Sequence, residues 1–214
     1  MKVLMVNGSD HERGCTFAAL SEIGRALEEC GVDYEIFHIG NAPLRDCINC
    51  RKCFDTGNGL CAFDDDCVNA FKLKCREADG FVFASPVYFG HPSGRLISFL
   101  DRAFFSDIGY NWYSSFKHKP AAAVVSARRS GNTASWDVLN KHMGVCQMPI
   151  VASTGWNMVH GHTPEGVSRD EEGLQTMRNL GRNMAWLLKC IDAGRAAGIE
   201  PPREEMSAMT NFTD

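Results

Sequence analysis

Apolar and polar positions along the chain switch between two periods, and the switches mark out its elements. Lys2 to Asn7 is an apolar, β-branched run ending at Gly8, the pattern of a buried first strand. Phe17, Leu20, Ile23 and Leu27 then recur at helical spacing up to Gly31, a good stop. Asp33 to Ile39 reads as a second strand. Asp64, Asp65 and Asp66 can cap and charge a helix running to about Glu77. Gly80 to Ser85 (GFVFAS) is a third buried strand, Pro86 to Gly94 a loop, and Leu96 to Phe105 a helix. Ala121 to Ser126 (AAAVVS) is a fourth strand, Thr133 to Val145 a helix, and Pro149 to Ser153 a fifth strand. Ser168 and Glu171 form a capping box for the last helix. Its Leu174, Met177, Leu180, Met184, Leu187, Leu188 and Ile191 share one face.

Strands alternating with helices predict an α/β fold: a doubly wound, five-stranded parallel sheet with helices on both faces. A single domain over 1–198 is expected, with excursions at 45–64 and 153–169. The tail, 199–214, carries Pro201-Pro202 and few apolar residues, and is expected to lie loose or against a partner.

Composition narrows the class. The 214 residues suffice for one large core, and 44% apolar content suits a globular protein. The net charge of −4 argues against a broad nucleic-acid surface. The opening apolar run is too short for a signal peptide or a membrane span, so a cytoplasmic protein is expected. Its ten cysteines then read as reduced thiols, metal ligands or core fillers, and the sequon at Asn211 as chance.

In open α/β sheets ligands bind beyond the carboxyl ends of the strands. The segment after strand one runs Gly8-Ser9-Asp10-His11-Glu12-Arg13-Gly14-Cys15-Thr16. It offers hydroxyls at Ser9 and Thr16, a guanidinium at Arg13, and a direct opening into a helix whose free N–H groups favour an anion. It reads as a phosphate cradle or as an ordinary capped turn, and it is neither a Walker loop nor a G-x-G-x-x-G fingerprint. After strand three, Pro86, Val87, Tyr88, Phe89 and Gly90 place two large aromatics where a flat ring could lie. After strand four, Ser126 to Thr133 forms either a third wall or a solvated basic turn.

Cys47, Cys50, Cys53 and Cys61 follow C-x2-C-x2-C-x7-C. Two-residue spacers let a loop turn its sulfurs inward onto a soft metal. A [4Fe–4S] cluster, zinc and free thiols are the three readings, and the spacers suit a cluster better than zinc. Cys30, Cys67, Cys75, Cys146 and Cys190 read as packing residues. Asp101 and Arg102 read as a local ion pair. His160 and His162 read as a surface loop or a nicotinamide-side contact, and Tyr110, Trp112 and Tyr113 as a dimer contact or a quinone-sized pocket.

These segments resemble the flavodoxin-like NAD(P)H-dependent FMN reductases, and most closely their iron–sulfur flavoprotein branch. The resemblance rests on "NGS…GCT", the cysteine motif followed by "DDD", "ADGFVFASPVYFGHPSGRLISFLDR" and "GWNMVHG…DEEGLQTMRNLGRN", and it spans roughly 1–190. It implies FMN with its phosphate at Ser9, Arg13, Cys15 and Thr16. It implies a ring resting on Pro86, Val87, Tyr88, Phe89 and Gly90, with Ser126 in a weaker third wall. It also implies a [4Fe–4S] cluster at Cys47, Cys50, Cys53 and Cys61, though many relatives carry no cluster.

The expected activity passes electrons from NAD(P)H, or from a ferredoxin-like donor, to a quinone or other small acceptor. No acid–base side chain is required, and the chain is expected to be a homodimer or homotetramer. The alternatives are a non-catalytic electron carrier served by a protein partner and a zinc-stabilised module without flavin. A phosphatase is excluded, because no cysteine has arginine six positions on. One departure matters: similar proteins usually place a basic residue close to the serine, whereas here Asp10 and His11 follow Ser9. Arg13 is therefore expected to carry the charge role, with Asp10 pointing away.

Overall fold

Each apolar run becomes a strand whose alternate residues face opposite layers. The computed structural model describes residues 1–210 and 212, so Asn211 and Thr213 of the sequon lie outside the described residues. The elements in chain order are β1 (Lys2–Asn7), α1 (Cys15–Glu29), β2 (Asp33–His38), α2 (Lys52–Thr56), α3 (Val68–Cys75), β3 (Gly80–Tyr88) and β4 (His91–Pro92). They continue with α4 (Gly94–Ile108), β5 (Ala121–Ala127), α5 (Asn132–Val145), β6 (Met158–His160), α6 (Pro164–Val167) and α7 (Glu171–Ala196). The parallel strands lie in the order β2-β1-β3-β5-β6, with β4 paired antiparallel to β3. Counting only parallel strands, this is the 2-1-3-4-5 order of flavodoxin-like sheets, and the order of strand addition reverses between β1 and β3.

Two cores follow from the two-residue period of the strands. Leu4, Val6, Phe81, Phe83 and Ala123 meet Phe71, Phe99, Leu100, Leu139 and Met143 on one face. Val3, Met5, Val82, Ala84 and Val124 meet Leu20, Ile23, Met177, Leu180 and Met184 on the other. Among the described residues, no helix is long and apolar enough to cross a membrane.

Several expectations are corrected. Pro149 to Ser153 makes only a single bridge, Ile150 to Ala121, and the fifth parallel strand is Met158–His160. Pro149 lacks an N–H for a ladder, so the segment touches the sheet once and leaves it. Strand three runs on through Tyr88, so most of the expected loop is strand and hairpin. The last helix is capped by Asp170, whose carboxylate accepts from the Gly173 N–H, and Ser168 instead bonds the Glu165 carbonyl. Asp101 pairs with His142 across 3.3 Å, while Arg102 reaches Asp66. Successive helical residues face about 100° apart, so neighbours rarely share a partner. Cys190 is exposed on α7 rather than packed.

Candidate functional site

The loop after β1 is built on close approach. Gly8 donates to the Ala84 carbonyl at 2.8 Å, and a Cβ there would lie 2.7 Å from that oxygen. Asn7 steadies the loop from inside, receiving the Ser9 N–H at 3.2 Å and donating to the Glu12 carbonyl at 3.0 Å. Ser9 is buried, and its hydroxyl accepts from the His11 N–H at 3.1 Å. His38, at the end of β2, bonds the Ser9 carbonyl at 2.9 Å. Helix α1 then opens at Cys15 with no capping side chain and no acid in its first turn. Its leading N–H groups therefore face the open cleft of about 760 Å³ beside Arg13, Gly14, Cys15 and His162. Arg13 makes no ion pair among the described residues.

The segment after β3 folds back as a hairpin. Val87 pairs with Pro92 and Tyr88 with His91, leaving Phe89 and Gly90 at the turn. Both turn residues have positive φ, +51° and +75°, which is the signature of a type I′ turn. Phe89 is fully exposed at this tip. Ser93 binds the two loops together: its N–H donates to the Ser85 hydroxyl at 2.9 Å and its own hydroxyl to the Gly8 carbonyl at 2.8 Å. The third segment closes against the hairpin at Gly131, where φ is +89° and a Cβ would meet Gly90 Cα and Val87 Cγ1 at 2.8 Å. The hydroxyls of Thr16 and Ser126 bond at 2.9 Å, linking α1 to the end of β5.

Of the expected site residues, Arg13 and Cys15 line the open cleft at the α1 start; Ser9, Thr16, Pro86, Val87, Tyr88, Phe89, Gly90 and Ser126 stand at or just beyond the carboxyl ends of β1, β3 and β5, around the point where strand order reverses, and are not among its walls. Asp10 is engaged by the Tyr88 hydroxyl at 3.1 Å, consistent with a carboxylate held toward the hairpin. Burial pushes the Tyr88 phenol up, and the Asp10 charge adds to the effect. An uncapped helix start, two hydroxyls, an unpaired guanidinium and a flat hairpin fit a phosphate joined to a planar ring.

The cysteine excursion packs on the distal half of α4. Asn49 and Arg51 take positive φ, and Gly57 and Gly59 follow, so the backbone winds tightly around its own sulfurs. Cys47, Cys50, Cys53 and Cys61 line one pocket, closed by Phe105 and Ser106 of α4. Asn69 clamps the fourth arm, accepting from the Cys61 N–H at 2.8 Å and donating to the Cys61 carbonyl at 2.9 Å. Burial pushes the Cys53 thiol up, and the other three thiols add to it. Among the described residues no three ligating side chains close on a single ion. Four thiols on one pocket are the donor set that an iron–sulfur cluster takes.

Sequence reasoning missed Arg102, Asn69, Ser93 and Gly131. Each acts on a residue 8 to 85 positions away, or through a close approach that no local pattern signals. Tyr110 lies against Gly59 of the cysteine excursion, and Tyr113 packs on the core.

The family model described as NADPH-dependent FMN reductase matches residues 1–163. An iron–sulfur flavoprotein of Methanocaldococcus jannaschii is 31% identical over 196 residues, covering 89% of this chain and 99% of that one. Among solved structures, RosB with bound 8-demethyl-8-formylriboflavin-5'-phosphate superposes with a TM-score of 0.69 at 15% identity, over 100% of this chain and 92% of that one. A flavodoxin from the domain Archaea superposes with a TM-score of 0.57 at 17% identity, over 88% and 99%.

Proposed function

Because the chain belongs to the NADPH-dependent FMN reductase family, and is thus an FMN-binding flavoprotein with a flavodoxin-like fold, we propose that it passes electrons from NAD(P)H through FMN to a quinone or other small acceptor. The observation that carries this reading is the junction of the uncapped α1 start with the β3–β4 hairpin at one sheet edge. FMN supplies the electron chemistry when bound, and the protein supplies binding and orientation.

Ser9, Arg13, Thr16 and the α1 N–H groups would hold the phosphate, with Cys15 beside them. Pro86 to Gly90 supports one side of the ring, and Ser126 stands in the third wall. No side chain need take a proton from substrate. Exposed Phe89 at the hairpin tip suits a site completed by a second copy, so the working unit is a homodimer or homotetramer.

The cysteine pocket supports a second reading for the electron path: Cys47, Cys50, Cys53 and Cys61 hold a [4Fe–4S] cluster, and a ferredoxin-like protein serves as donor. The test is oxidation of NADH and NADPH by purified protein on addition of a quinone, with R13A alongside. The reductase reading predicts turnover that R13A restores only at higher FMN, by 10- to 100-fold, as expected for losing a charged hydrogen bond of about 1.5–3 kcal/mol. No oxidation of either nucleotide, together with rapid reduction by ferredoxin, favours a carrier.

A further inference from the structure

One buried guanidinium ties together the two ends of the cysteine excursion. Arg102 is 1% exposed, in the middle of α4. Its Nε donates to the Cys61 sulfur at 3.3 Å. Nη1 pairs with Asp66 and reaches the Arg45 carbonyl at 3.4 Å, and Nη2 donates to the Phe63 carbonyl at 3.1 Å. These contacts straddle the excursion: Arg45 precedes its first cysteine, Phe63 follows its last, and Asp66 leads into α3. The Phe63 ring lies 5.5 Å from the guanidinium carbon. The Asp66 carboxylate balances the guanidinium's charge but takes only part of its five N–H donors, and one of the others, Nε–H, points at a thiol sulfur.

We propose that Arg102 is a positioning residue of the cysteine pocket. It fixes the Cys61 arm as the fourth ligand and, through its N–H to the Cys61 sulfur, raises the reduction potential of a cluster bound there; this rests on the cluster reading above. The argument is electrostatic. Reduction by one electron, with no proton taken up, makes the cluster and its thiolates more negative. A hydrogen bond donated to sulfur favours the more negative state, and burial strengthens it. Lysine at this position would keep the charge near Asp66. It lacks the fork that reaches Cys61, Phe63 and Arg45 together.

The test begins with unsubstituted protein prepared anaerobically and assayed for iron and acid-labile sulfide. With cluster present, the midpoint potential is read by titration followed by electron paramagnetic resonance, in this protein and in R102K. The expected result is unchanged flavin content and a lower cluster potential in R102K. At a fixed potential the reduced-to-oxidised ratio falls about tenfold, which is ~59 mV for one electron. A second reading needs no substitution. Reduced protein carrying ¹⁵N-arginine should show a weak ¹⁵N coupling to the cluster spin in pulsed measurements.

Iron present, with an R102K potential equal to the parent's or with no ¹⁵N coupling, overturns the role of Arg102 and leaves the cluster standing. Unsubstituted protein that takes up no iron overturns the cluster reading and this inference with it.

Discussion

The Tyr88 hydroxyl donates to the Asp10 carboxylate at 3.1 Å, tying the hairpin after β3 to the loop after β1. The bond holds the one acidic side chain that departs from the expected basic position close to Ser9. Y88F frees that carboxylate beside the phosphate loop, where like charges repel. FMN affinity should fall about fivefold, the worth of roughly 1 kcal/mol, and D10N in the Y88F background should restore it. Fluorescence titration of apoprotein with FMN reads both. Equal affinity for Y88F and the parent would contradict the assignment.

Gly131 is where the third loop meets the hairpin, at a φ of +89° and with no room for a Cβ. G131A must strain the backbone and displace Gly90 and Val87. A stability loss of about 1–3 kcal/mol is expected, together with weaker FMN binding. Urea unfolding of the apoprotein separates the two effects, because only the first is present without flavin.

Lys72 and Asp107 form an ion pair in the core, with the ammonium 4.5 Å from the Phe116 ring centre. Burial pushes the Lys72 amine down, opposed by the Asp107 charge. Ser115 satisfies the carboxylate from its N–H at 3.0 Å and its hydroxyl at 2.8 Å. K72M leaves that carboxylate buried and unpaired, at a cost of about 3–5 kcal/mol. K72M/D107N should recover part of it, since a neutral amide still meets Ser115. A loss under about 1 kcal/mol in K72M would contradict this.

Glu35 on β2 receives Lys2 at 2.6 Å and Lys74 at 2.8 Å, one on each oxygen. The Lys2 hydrogen bond, then that of Lys74, holds its carboxyl below the usual range. Its folded-state pKa is thus lower than the unfolded value, so its contribution is complete above about pH 4.3. That contribution fades as pH falls through the lowered value. E35Q should cost about 0.2–1 kcal/mol at pH 7, discounted for partial exposure. It should match the parent in strong acid. Thermal melts of both proteins across pH 2–7 give the comparison.

Much of this was legible in the chain. Val3–Val6, Phe81–Ala84 and Ala121–Val125 are apolar at every position, which only a sheet covered on both faces explains, and the carboxyl end of that sheet locates the cleft. Glycine, proline and aromatic placement marks the segments after β1 and β3 as irregular, but the pairing of Val87 with Pro92 that makes the second a hairpin has no local signal. The fifth strand was misplaced because Met158–His160 is only three residues long and Pro149 to Ser153 has the stronger β composition. Asp170 caps the last helix with Gly rather than Glu or Gln three positions on, so the S-x-x-E pattern at Ser168 is the stronger local signal although it is not the cap. Arg102 was paired with its sequence neighbour because its partners, Cys61 and Asp66, come to it only through the packing of α4 on the excursion.

The account's central claim is that the α1 start and the Pro86–Gly90 hairpin hold FMN. The most direct measurement is the ultraviolet–visible spectrum of anaerobically prepared protein, followed by release and quantitation of the chromophore. The prediction is flavin bands with about one FMN per chain. Protein that stays free of flavin bands after incubation with excess FMN would contradict it.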